Sequence, residues 1–251
     1  MALNMLDYVK THFKVAKLAN LPFATQLVPL AVFFAVPGNQ EASYTDAQRD
    51  KINQWFWRSC MSRRYSSGVI RNLNADIQEM VKLRSGEDSS LGHFDVSFDN
   101  NFFLFNTFGI TSVNTKTFIL ILAQQNPMSF ISGAPVDLYE KLKDANRTEF
   151  HHLMPRKFVK DSEQEDAFVS VLANFAFLSR ADNREIGGEA PSKYKSKMQG
   201  DVARTLRRGL IPIALFDDKL LEFLEARAQE LSAEAARLCS LTAPSTAAST
   251  H

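Results

Sequence analysis

Apolar residues recur at three- and four-residue spacing through most of the chain, which predicts a mainly helical protein. Residues 3–36 read as helix with a break at Asn20-Leu21-Pro22, and 27–36 is their most apolar stretch. Thr45-Asp46-Ala47-Gln48 has the form of a capping box, in which a hydroxyl accepts from the third backbone N–H and an amide reaches back. It predicts a helix running to about Arg64, with Ile52, Trp55, Phe56 and Cys60 as its buried stripe. The segment 38–43 before it reads as a linker. Another helix is expected over 69–83, ended by RSGEDSS. Two Phe- and Leu-rich helices are expected over 99–108 and 115–125, closed by Asn126-Pro127. Most of the 20 phenylalanines fall in this first half, which points to an all-α core.

After Gly133 the pattern changes. Residues 134–147 mix loop and short helix, and 148–155 are short and strand-like, ending at Pro155. Residues 161–172 are charged and then apolar, which suits an inserted helix, and 175–179 alternate as a second strand. A helix is expected from Arg180, stopped by Gly187-Gly188. Residues 201–212 and 217–241 predict a closing helical hairpin. Leu220, Leu221, Phe223, Leu224, Ala228, Leu231, Ala235 and Leu238 mark its apolar side. The tail 242–251 has nothing to bury and is expected to be disordered. The expected fold class is mainly α with a small α+β element. The expected units are a helical domain over 1–133 and a second domain over 134–241.

Composition changes little in this picture. A chain of 251 residues suits one large domain or two modest ones, and 45% hydrophobic content is ordinary. A net charge of +1 neither supports nor excludes nucleic-acid binding. Locally, 189–210 carries six basic residues against two acidic ones, a pattern that fits a phosphate track or a solvated helix face equally well. Cys60 and Cys239 form no CxxC pair, which argues against a structural zinc and for reduced, partly buried thiols. No secretory signal opens the chain, and 27–36 is too short to span a bilayer and contains Pro29. A cytoplasmic location without membrane contact is expected.

The chemistry concentrates in 149–194. His151-His152 precede Pro155, Asn174 opens the second strand, and Asn183 lies just before the glycine turn. Histidine titrates near neutral pH and so suits a general base, while imidazole nitrogen and amide oxygen are both metal donors. Taken singly these residues are unremarkable in kind: a His pair is usually structural, Asn174 a turn residue and Asn183 a helix cap. His12, His93 and His251 have no comparable setting and read as structural or solvent-exposed.

Taken together, the HHxxP series and the two asparagines resemble the core of the HNH endonucleases, the His-Me finger or ββα-metal family. The resemblance implies a helical bundle joined to a ββα-metal finger and followed by the helical hairpin. It implies that His151 and Asn183 bind one divalent cation, that His152 is the general base, and that Asn174 braces the loop between the strands. The cation would be Mg²⁺ or Mn²⁺, with Ni²⁺ also tolerant of imidazole. The family often has Asp where this chain has His151, which bears on metal preference. Arg156, Lys157, Lys193 and Lys195 flank the motif as DNA-phosphate contacts. Arg58, Arg63, Arg64 and Arg71 read slightly better as a solvated helical surface.

A wider resemblance covers most of the chain. WFWRSCMSRRYSSG at 55–68, NPMSFISG at 126–133, EFHHLMPRKF, NFAFLSRADNREIGGEAPSKY and the late FLEARAQEL are similar to the C-terminal half of GmrSD-type proteins. Those are bacterial modification-dependent restriction and phage-defence factors. The likeness implies cleavage or nicking of foreign or modified DNA. It also implies an N-terminal nucleotide-using, ParB-like domain or subunit as a separate partner. Two other readings stay open: a nuclease-like binding module with weak catalysis, and a metal-dependent RNase of toxin type.

Overall fold

The computed structural model describes residues 2–35, 42–143 and 150–240. The protein is mainly helical, with one small two-stranded antiparallel sheet. The expected tail, most of the expected linker at 38–43, and residues 144–149 ahead of the histidines lie outside the described residues.

The chain begins with α1 (Ala2–Phe13) and α2 (Leu27–Phe34). The expected break at 20–22 is wider than the sequence suggests and contains two 3-10 turns, Leu18–Asn20 and Ala24–Gln26. Asn20 holds it from inside: Oδ1 accepts from Lys17 N–H at 2.8 Å, and Nδ2 donates to Leu142 O at 3.2 Å. α3 (Asp46–Met61) opens with the predicted box. Thr45 Oγ1 accepts from Gln48 N–H at 3.2 Å, and Gln48 Oε1 accepts from Thr45 N–H at 2.8 Å. Its predicted stripe is buried, and Phe56 stacks on Phe13 with ring centroids 3.7 Å apart. The helix stops short of Arg64 because Arg63 turns to a positive φ of 52°. α4 (Val69–Ser85) packs on α2 and ends at left-handed Gly86.

The expected helix at 99–108 shrinks to α5 (Asn101–Leu104). Beyond it the backbone pairs with a distant segment instead of with itself. Phe108 N–H donates to Ser170 O at 2.9 Å, Leu172 N–H donates to Asn106 O at 2.9 Å, and Thr107 bridges Val171. α6 (Val113–Gln124) starts where Ser112 Oγ accepts from Thr115 N–H. Its residues 117–123 are all buried, as in a helix surrounded on every side.

The second half contains α7 (Leu138–Lys143), β1 (Phe150–His152), α8 (Arg156–Asp161), β2 (Phe175–Phe177) and α9 (Arg180–Ile186). Then come α10 (Pro191–Tyr194), α11 (Val202–Arg208) and α12 (Leu220–Leu238). The inserted helix expected over 161–172 does not form. α8 ends at Asp161, the first residue of that stretch, Glu163 just beyond its cap turns to φ 57°, and the rest holds 3-10 turns at Asp166–Phe168 and Leu172–Asn174.

α12 lies against α3, α5 and α6, so buried residues from both halves of the chain join in one hydrophobic cluster. Its predicted apolar side is largely inside, but Leu221 is 45% exposed because its position turns away from the stripe. Cys60 and Cys239 are buried free thiols. Burial pushes both up, Cys239 to about 12, so both stay protonated at neutral pH. Among the described residues no helix is long and apolar enough to cross a membrane.

Candidate active site

β1 and β2 pair antiparallel with Phe150 opposite Phe177, His151 opposite Ala176 and His152 opposite Phe175. Successive residues of a strand point to opposite faces, so the two histidines are divided between them. His152 shares its face with Phe150, Phe175 and Phe177. Its ring lies 4.4 Å from that of Phe175, which is stacked in turn on Phe108 at 4.2 Å. His151 shares the other face with Ala176. Both histidine residues are half-buried, with His152 Nε2 shielded from solvent, and His152 is the last residue of its strand.

Asn174 is fully buried and clasps the backbone that follows His152. Its Oδ1 accepts from Met154 N–H at 2.9 Å, and its Nδ2 donates to Met154 O at 3.1 Å and Val169 O at 2.9 Å. The Asn174 carbonyl accepts from Leu153 N–H at 2.8 Å. From the other side, Tyr194 donates its hydroxyl proton to Leu153 O at 2.6 Å. Burial raises that phenol well above its ordinary value, so it serves as a fixed donor. Leu153 and Met154 are thus held by two segments far from them in sequence, around Asn174 and at Tyr194.

Ser179 caps α9, accepting from Asp182 N–H at 3.0 Å, while Asp182 reaches back to Ser179 N–H at 3.3 Å. Asn183 is therefore not a cap; it is an exposed residue within α9. Gly187 ends the helix at φ 62°, which only glycine adopts easily. Asp182 is buried and accepts from Ser129 Oγ at 2.9 Å, tying α9 to the segment 126–133. The sequence reading passed over Asp182. Its signal was the Ser179-to-Asp182 spacing of a capping box.

The basic residues sort into two groups. Arg156, Lys157, Lys193 and Lys195 are exposed. Arg156 donates to Ser170 Oγ at 2.6 Å, Lys157 pairs with Asp161 along α8, and Lys195 Nζ sits 4.7 Å over the Phe216 ring. Lys197 is engaged with Glu189 at 3.0 Å, and Arg208 donates to Gln125 O. Arg58 and Arg64 correct the solvated-surface expectation. Arg58 donates to Gly92 O and Phe94 O, and Arg64 forms a two-point pair with Asp76 at 2.8 Å. Both are partly buried parts of the fold, whereas Arg63 and Arg71 are exposed.

The largest omission of the sequence reading is Arg227, which is fully buried in the middle of α12. Its guanidinium donates to Ala173 O and Phe175 O at 2.7 Å each, to Leu210 O at 3.1 Å and to Gly209 O at 3.2 Å. Burial lowers its pKa to about 9, so it is still charged at neutral pH. The available signal was an arginine on the apolar side of an amphipathic helix, three residues after Leu224 and four before Leu231.

Among the described residues no three His, Cys, Asp or Glu side chains converge in a metal-holding group. The shell implied by the resemblance contains only one such residue, His151, beside the amide of Asn183.

No family model matches the chain, and no solved structure matches it. An uncharacterised protein of Methanocaldococcus jannaschii is similar to it, at 21% identity over 153 residues. That match covers 59% of this chain and 25% of the relative, so the chain spans about a quarter of the relative's length.

Proposed function

We propose that the chain is a metal-dependent endonuclease of the HNH type that hydrolyses phosphodiester bonds in DNA. The observation that carries this reading is the Asn174 clasp. A fully buried asparagine bonding both polar groups of Met154 is a costly way to brace a ribbon of two three-residue strands, because any lost partner leaves a buried polar group unsatisfied. It makes sense where the residue before the clasped segment, here His152, must be held in one place. β1, β2 and α9 also follow one another in the order of a ββα finger, with α8 inserted between the strands, which supports this reading.

In this reading His152, at the strand end, accepts a proton from water in its neutral form. Asn174 sets its position through Leu153 and Met154. His151 and Asn183 would hold the cation. One imidazole nitrogen and one amide oxygen fit an ion that keeps several waters and takes phosphate oxygens, and the imidazole favours Mn²⁺ or Ni²⁺ over Mg²⁺. When bound, that ion would supply charge neutralisation at the scissile phosphate. Arg156, Lys157, Lys193 and Lys195 supply exposed cations for the backbone of the substrate. The biological setting in this proposal is bacterial defence against foreign or modified DNA, alongside a nucleotide-using ParB-like partner.

The test is plasmid nicking with Mg²⁺, Mn²⁺ and EDTA arms, on the wild-type chain and His152→Ala. The expected result is metal-dependent nicking that falls about 10²–10⁴-fold in His152→Ala while the fold is retained. Nicking that survives EDTA, or a folded His152→Ala that nicks normally, overturns the mechanism. Cleavage of an RNA substrate run in parallel, with the plasmid left intact, favours the toxin reading, and DNA binding without cleavage favours the binding module.

A further inference from the structure

We propose that Arg227 is a positioning residue for His152, acting through Asn174. The proposal rests on the nuclease reading for its catalytic readout alone. Ala173 O and Phe175 O lie on either side of Asn174, and one guanidinium nitrogen, Nη1, donates to both. The 173–174 and 175–176 peptide units, which bracket the Asn174–Phe175 unit, are therefore anchored to α12. A rotation of the Asn174 backbone would break one or both bonds. That anchoring fixes where Oδ1 and Nδ2 aim, and they in turn fix Met154. His152 is two residues before Met154 and leads directly into the clasp.

The choice of residue supports a geometric role. The neighbours of Arg227 on α12 are buried Phe223, Leu224, Ala228 and Leu231, where an apolar side chain is the ordinary occupant. An apolar residue there would leave four main-chain carbonyls without this partner, so the guanidinium is kept for the groups it bridges rather than for packing. A guanidinium offers donors in a rigid planar fork. Here the fork spans two segments at once: the entry to β2, and the 209–210 turn after α11. An ammonium offers its donors from a single point and cannot reproduce that span.

The experiment compares wild type with Arg227→Met and Arg227→Lys. Amide hydrogen exchange is followed at Leu153 and Met154 against Ile121 in α6, alongside thermal melting. His152 ring-proton shifts, which report the nearby Phe175 ring, and the nicking parameters are measured on the same samples. For Arg227→Met we expect Met154 exchange to accelerate about tenfold or more relative to Ile121, a local loosening rather than a global one. We expect the His152 ring shifts to move, and kcat to fall by up to about 10²-fold with KM nearly unchanged, as misplacement of a catalytic group predicts. Arg227→Lys, which keeps the charge and loses the fork, is expected to behave similarly and carries the test if Arg227→Met fails to fold. Uniform exchange changes, unmoved His152 shifts and activity that follows melting alone would overturn the proposal. If the wild-type chain does not nick, the nuclease reading fails, while exchange and ring shifts still decide whether Arg227 positions His152.

Discussion

Asn174→Ala removes the clasp and little else. The wild-type side chain makes three hydrogen bonds, to Met154 N–H, Met154 O and Val169 O, in a fully buried site. Alanine leaves those three main-chain groups without that partner and opens a small void. A lost buried bond costs about 1–3 kcal/mol, and part of this is recovered by relaxation and water entry, so the total is roughly 3–5 kcal/mol. For a chain of this size each kcal/mol moves Tm by about 2–4 °C, which gives a drop of about 6–20 °C. Asn174→Asp adds a pH signature. It keeps an oxygen for Met154 N–H, but puts a second oxygen where Nδ2 faced two carbonyls. Only the protonated carboxyl can donate there, so folding raises its pKa. The stabilisation is full below the unfolded value of about 3.9 and is lost as pH rises through the higher folded value. Calorimetric melting of both variants at pH 4 and pH 7 reads this directly. Relative to Asn174→Ala, the Asp variant is expected to be more stable at pH 4 and to lose that advantage by pH 7. A Tm for Asn174→Ala within about 2 °C of wild type, or an Asp variant favoured at pH 7, would refute the clasp.

Other expectations follow from the same geometry. His151→Ala and Asn183→Ala are each expected to weaken Mn²⁺ binding in isothermal calorimetry, and wild-type affinity in both would remove them from the metal shell. Charge reversal of Lys193 and Lys195 is expected to weaken DNA binding at all sequences and to lower the salt slope by about one per lost phosphate contact. Unchanged salt dependence would place the DNA elsewhere. Gly133→Ala is expected to destabilise by about 1–3 kcal/mol, because the glycine sits at φ 66° and an added Cβ would lie 2.7 Å from Gln199 O. Normal melting of that variant would show that the 126–133 segment can shift away.

Sequence alone determined the parts of this protein that depend on near neighbours. The α3 box needs only Thr45 and Gln48, three residues apart, and the α3 stripe needs only helical spacing. The stop of α9 needs only Gly187, whose missing Cβ admits the left-handed turn. The place of the two strands could also be read, since Pro155 bounds one and the apolar run 175–178 marks the other. Tertiary structure decided what those rules cannot reach. Segments 99–108 and 161–172 have helical composition, but they pair with each other through Thr107 and Val171, and that long-range pairing replaces local helix. Histidines 151 and 152 are adjacent in sequence yet lie on opposite faces, because the register with β2 fixes the ribbon. Arg227 is the clearest case. Periodicity marks its position as apolar, and only carbonyls brought in from 173–175 and 209–210 make a buried guanidinium tenable there. Spacing along a chain encodes which face a residue occupies, whereas the hydrogen-bond partner of a buried polar group is supplied by segments that meet only on folding.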